Sequence, residues 1–121
     1  MWYLYRVSSS TAPRLTRSTH ELDRRVVLRL TGEIDMEVEA DMTAWLREVM
    51  SQHPGRDVVV DLAGVSFVDS SGIACLMIAY RQAAAGGVSL TVTGAQGPVL
   101  MVLKVTGVLG VLSGTNNQAT G

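Results

Sequence analysis

Apolar and polar positions along the chain alternate between two periods. Val26, Leu28 and Leu30 recur every second residue and predict a strand over Val26–Thr31, which Gly32 is expected to break. Leu15–Leu22 reads as a preceding strand, with Asp23-Arg24-Arg25 as the turn between them. The period then lengthens. Val38, Met42, Trp45, Leu46 and Val49 form one helical stripe, with Asp35 at or near the N-cap and Glu37 and Glu39 at the positive end of the helix dipole. Pro54-Gly55 closes that helix. Asp57–Leu62 is rich in β-branched residues, as in a buried parallel strand, and Gly64–Val68 reads as a loop carrying Phe67.

Asp69-Ser70-Ser71-Gly72 opens a second helix whose stripe is Ile73, Leu76, Met77, Tyr80 and Ala84, and Gly86-Gly87 ends it. Val88–Thr93 alternates as a strand, and Pro98 starts a third helix over Val99–Val105. Val108–Leu112 reads as a last edge strand. Strands alternating with helices imply an α/β fold with a mostly parallel sheet. Ligands and partners of such sheets meet the loops at the carboxyl ends of the strands. Three loops are expected to gather there, Gly32–Asp35, Val65–Ser71 and Thr93–Gly97, the first two bringing Asp35, Asp69, Ser70 and Ser71 together.

Composition narrows the classes. The chain has 121 residues, 47% hydrophobic and 17% charged, which suits one globular domain. A formal net charge of −1 offers no bulk attraction for nucleic acid. The charge is uneven: six of the ten basic residues precede residue 30, and five of the eleven acidic ones fall between Glu33 and Asp41. A single cysteine, Cys75, rules out an internal disulfide, and a reducing cytoplasm is the expected compartment. It lies off the apolar stripe of its helix and reads as a packed, unreactive thiol. The longest apolar stretch, Val99–Leu112, is interrupted by Lys104 and two glycines, so no membrane insertion is expected. Residues 1–13 read as an N-terminal extension, 14–113 as the domain and 114–121 as a short polar tail. The residues set no oligomeric state.

The candidate chemistry centres on Asp69-Ser70-Ser71-Gly72. Asp and Ser are favoured helix caps, and taken alone the block reads more readily as a cap than as a working site. Three polar groups exceed what one cap needs, which points to an accessible hydroxyl. A hydrolytic serine requires a base, and the chain offers only His20 and His53, both expected far from Ser71. Phosphate-loop, dinucleotide and metal-ligand spacings are absent, so no cofactor or metal is expected. Met36, Met42, Met50, Met77 and Met101 are expected as core filler.

Leu30-Thr-Gly-Glu-Ile-Asp35 followed by Val58-Val-Val-Asp-Leu-Ala-Gly-Val-Ser-Phe-Val-Asp-Ser-Ser-Gly-Ile73 resembles the STAS-domain anti-sigma-factor antagonists of bacteria. Pro98–Leu109 looks like the family's last core helix and the glycine turn after it. The resemblance spans roughly residues 15–112 in register. It implies a single STAS domain with four or five strands and helices packed against the sheet. It further implies a non-enzymatic protein that binds an anti-sigma-factor serine kinase and so releases a sigma factor. The kinase would phosphorylate Ser71, and a metal-dependent serine phosphatase would reverse this. Asp35 and Asp69 match the acidic neighbours of the phosphoacceptor, and Asp35, Asp69, Ser70, Ser71 and Gly72 form the implied partner surface. A phosphate at this helix start is expected to be accommodated by the dipole and free N–H groups. The alternative implied reading is a STAS module that binds constitutively, as a stressosome component or a lipid-transport ABC-system subunit. The extension over residues 1–13 is longer, and the tail shorter, than in many members.

Overall fold

The computed structural model describes residues 13–114. The expected extension and tail therefore lie, apart from Pro13 and Gly114, outside the described residues. The elements are β1 (Leu15–Glu21), β2 (Arg25–Ile34), a 3₁₀ turn (Met36–Val38), α1 (Glu39–Gln52), β3 (Asp57–Val68), α2 (Ser70–Ala85), β4 (Leu90–Thr93), α3 (Gly97–Val105) and α4 (Leu109–Leu112). Among the described residues the strands form one sheet in the order β1-β2-β3-β4. β1 runs antiparallel to β2, from Leu15 opposite Gly32 to Glu21 opposite Val26. The β2–β3 and β3–β4 pairs are parallel, their connections being α1 and α2.

The core follows from the two periods. Val26, Leu28, Leu30 and Ile34 of β2 and Val58, Val60, Leu62, Val65 and Val68 of β3 point to one face. There they meet Met42, Leu46 and Val49 of α1, Ile73, Cys75, Leu76, Ala79 and Ala83 of α2, and Val99 and Leu103 of α3. On the opposite face, Arg25 and Arg29 are exposed and Val27, Val59 and Asp61 partly so, and Arg29 pairs with Asp61 at 3.1 Å.

The structure corrects several sequence expectations. Gly32 does not end its strand. It adopts φ 125°, and register shifts against β3 between Arg29 and Thr31 and between Gly32 and Glu33 mark an irregular, bulged ladder. Residues Gly64–Val68 are strand rather than loop, because Gly64 pairs with Thr31 and Val65 with Gly32. The same register shifts break the two-residue period there, which hid the strand. Val108–Leu112 is helical, not an edge strand. Amide hydrogen bonds from Leu112 to Val108 and from Ser113 to Leu109 close its turn, and four apolar residues are too few to show a period. On α2 the buried face is rotated: Cys75, Ala79 and Ala83 lie on it, Met77 and Tyr80 at its margin, and Ala84 outside. Cys75 is buried as a packed thiol, its Sγ 3.3 Å from Thr43 Oγ1. Met36 and Met101 are exposed rather than core residues.

Candidate functional site

β2 and β3 end side by side. The Asp69 amide donates to the Ile34 carbonyl at 3.1 Å, so Asp35 and Asp69 leave the sheet at the same place. Each then caps the element that follows. Asp35 is in extended conformation, and its Oδ1 accepts the Glu37 amide at 3.0 Å, starting the 3₁₀ turn that leads into α1. Asp69, also extended, is the N-cap of α2. Its Oδ1 accepts from the Ser71 amide at 3.0 Å, the Gly72 amide at 3.1 Å and the Ser71 hydroxyl at 2.6 Å. The Asp69 carbonyl takes the Ile73 amide at 3.1 Å.

These contacts hold the Asp69 carboxyl below the usual carboxylate range. The Ser71 hydroxyl contributes most, partial burial opposes it, and the amides of Gly72, Ser71 and Met36 add to the lowering. The Asp69 amide on the Ile34 carbonyl keeps the two caps side by side.

The arrangement changes one sequence expectation. The first-turn amides of Ser71, Gly72 and Ile73 all end on Asp69, so they are not free to receive a phosphate. A phosphate on Ser71 would have to displace Asp69 or face outwards. Gly72 is buried, and a Cβ there would lie 2.5 Å from Ile34 Cγ2 and 2.7 Å from Val68 Cγ2. Gly72 therefore lets α2 sit down on the strand ends and presents no side of its own to a partner. Ser70 is exposed and Ser71 half-buried.

The third loop does not join the other two. Gln96 Nε2 bonds the Ala63 carbonyl at 2.9 Å, and a Cβ on Gly94 would meet Asp61 Oδ1 at 2.7 Å. Ala63 lies six residues before Asp69, on the order of 20 Å along the strand. The cause is the brevity of β4, which pairs only with Val58–Asp61. The histidines are remote, as expected. His20 pairs with Val27 near the start of β2, and His53 sits beyond α1 with its Nε2 3.4 Å from Glu21. Among the described residues no group of His, Cys, Asp and Glu is arranged to hold a metal.

Sequence reasoning missed Arg14. Its guanidinium bonds Asp35 Oδ2 and Glu33 Oε1, the latter at 3.0 Å, and lies 3.8 Å from Glu37. Only the pairing of Leu15 with Gly32 brings it there, and no local pattern announces that register. Met36 and Phe67 were also missed as surface groups; they stand exposed beside Asp35 and two residues before Asp69.

A family model described as "Mlab, STAS domain" matches residues 18–113. The chain belongs to the STAS-domain family. Solved structures with this fold include an anti-sigma factor antagonist from Mycobacterium paratuberculosis, 28% identical, with a TM-score of 0.69 over 79% of this chain and 81% of that one. The anti-sigma factor antagonist SpoIIAA in its unphosphorylated form is 22% identical, with a TM-score of 0.67 over 78% and 83% of the two chains. The phosphorylated form of SpoIIAA, described as a Bacillus cell fate determinant, is also 22% identical, with a TM-score of 0.62 over 81% and 88%. The four-stranded, mostly parallel sheet described above is the STAS fold. No described helix is long and apolar enough to cross a membrane.

The cap of this STAS domain supports a stability prediction. Asp69→Ala removes an acceptor of three hydrogen bonds and is expected to cost about 1–2 kcal/mol at neutral pH. The folded carboxyl titrates below its unfolded value. Its contribution is therefore complete above the unfolded value of about 4 and is lost as pH falls through the folded one. Denaturant melts of both proteins between pH 2 and 7 should show the gap narrowing only in that acid window. A gap that is constant down to pH 2 would contradict the charged cap.

Proposed function

We propose that the protein is an anti-sigma-factor antagonist, switched off by phosphorylation of Ser71. In this reading residues 14–113 bind a serine-kinase anti-sigma factor in the cytoplasm and so release a sigma factor. The kinase transfers the phosphate from ATP, and a metal-dependent serine phosphatase removes it. The protein itself catalyses nothing. One observation carries the reading: the Ser71 hydroxyl donates its proton to Asp69 at 2.6 Å and so directs its lone pairs away from that carboxylate. It has an acceptor, yet neither histidine that would make it a nucleophile in its own right stands beside it. Exposed Met36 and Phe67 beside the carboxylates Asp35 and Asp69 supply the apolar and charged parts of a docking surface. The antagonist from Mycobacterium paratuberculosis, at 28% identity, supports the same role.

The test uses the kinase-like anti-sigma protein encoded nearest to this gene. Incubation with it and ATP should place one phosphate on Ser71, located by peptide mass spectrometry, and Ser71→Ala should abolish it. Modification elsewhere, or none, would sink the reading. The match to a family described by the Mlab STAS domain favours a second reading, a module that binds constitutively. Co-purification from cells with a membrane ATPase, and full function in Ser71→Ala, would establish that reading instead.

A further inference from the structure

Arg14 is delivered to the site twice over. Its carbonyl accepts the Glu33 amide at 3.0 Å, and a Cβ on Gly32 would lie 2.0 Å from that same carbonyl. The main chain of Arg14 thus lies directly on the bulge of β2. From there the planar guanidinium reaches two carboxylates at hydrogen-bond distance, an arrangement a point-charged ammonium matches less well. Of its three partners, Asp35 is the least exposed, its side chain 18% accessible against 50% for Glu33 and 72% for Glu37. Solvent screens the Asp35 pair least, so that pair is the strongest of the three.

The surroundings give this pair a purpose. Asp35 leaves the sheet beside Asp69, whose amide bonds the Ile34 carbonyl at 3.1 Å, and Asp69 holds the Ser71 hydroxyl. Glu33, Asp35, Glu37 and Asp69 form an acidic rim, and Arg14 is the cation these contacts bring to it. A phosphate on Ser71 adds about −1.5 to −2 of charge within reach of the same field. The Ser71 and Gly72 amides that could otherwise stabilise it are already taken by Asp69.

We propose that Arg14 is a positioning residue of the Ser71 switch: its guanidinium holds Asp35, offsets the acidic rim and governs how a phosphate on Ser71 is charged and held. The inference rests on Ser71 being the phosphoacceptor, but its test needs no kinase. Phosphoserine is installed at position 71 of the full chain during translation, and its second ionisation is followed by phosphorus NMR. In Arg14→Gln the midpoint should rise by about half a unit, because a cation that favours the dianion is gone while Glu33, Asp35, Glu37 and Asp69 remain. Arg14→Lys, which keeps the charge with a weaker grip on the two carboxylates, should fall between Arg14→Gln and the wild type. The gap should shrink in 1 M salt, which a purely structural role for Arg14 would not produce.

An Arg14→Gln protein that melts like the wild type and titrates identically would overturn the proposal. Should that variant not fold, Glu37→Gln decides: removing a carboxylate that competes for Arg14 should lower the midpoint, and an unchanged midpoint overturns the proposal. A kinase that never modifies Ser71 would defeat the proposed function while leaving this titration fully readable.

Discussion

Replacing Gly32 by alanine is expected to destabilise the domain by about 3 kcal/mol or more. Two effects act together. The residue sits at φ 125°, where a side chain is strained whatever the space around it. The new Cβ would also lie 2.0 Å from the Arg14 carbonyl oxygen, and the clash is with main chain, which cannot rotate away. Relief requires the start of β1 to lift off β2, which breaks the bond from the Glu33 amide to Arg14. For a domain of this size the melting temperature should fall on the order of 10 °C, read by circular dichroism. Gly55→Ala is the control: it is also at positive φ, 80°, but a Cβ there meets nothing within 4 Å. It should cost about 1–2 kcal/mol, backbone strain alone. Equal losses in the two variants would refute the close approach at Gly32.

With the proposed anti-sigma partner, Ser71→Asp should weaken binding at least ~100-fold, about 3 kcal/mol, while Ser71→Ala stays within a few-fold of the wild type. The introduced carboxylate would stand against Asp69, whose own charge is fixed by the amides it caps. The amides of Ser71 and Gly72 are already taken by Asp69, so the new carboxylate is left to face the partner. An interface that buries it leaves it unpaired, at a cost of several kcal/mol. Titration calorimetry against the purified partner gives the ratio. Thermal melts should show both variants folded, because Asp69 rather than Ser71 is the N-cap. Equal affinity of the Asp and Ala variants would contradict a charge-driven switch.

Much of this was legible in the chain. The alternation of Val26, Leu28 and Leu30 and the stripe through Met42, Leu46 and Val49 mark surfaces that must be buried, and they are. Asp35 and Asp69 were readable as caps because a helix start creates a local demand for acceptors. What escaped depends on pairing between distant segments. The continuation of β3 through Gly64 is stabilised by Thr31 across the ladder, and Arg14 reaches Asp35 only through the β1–β2 register. The occupancy of the first-turn amides is a matter of geometry within three residues: Asp69 Oδ1 takes several donors at once, and residue types alone do not say how many.

The way Asp69 closes the start of α2 bears on how such a protein can diverge. Folding depends on residue 69 and on the small buried residue 72, whereas residue 71 has no structural duty beyond one hydroxyl contact. In the proposed reading, folding and signalling are thus assigned to neighbouring but separate positions. On that reading, substitutions at 71 that retune or abolish the signal are expected to leave a stable domain behind, so a lineage can lose the switch and keep the module. One scaffold can in this way serve both regulated and permanently engaged partners, with a single codon separating the two.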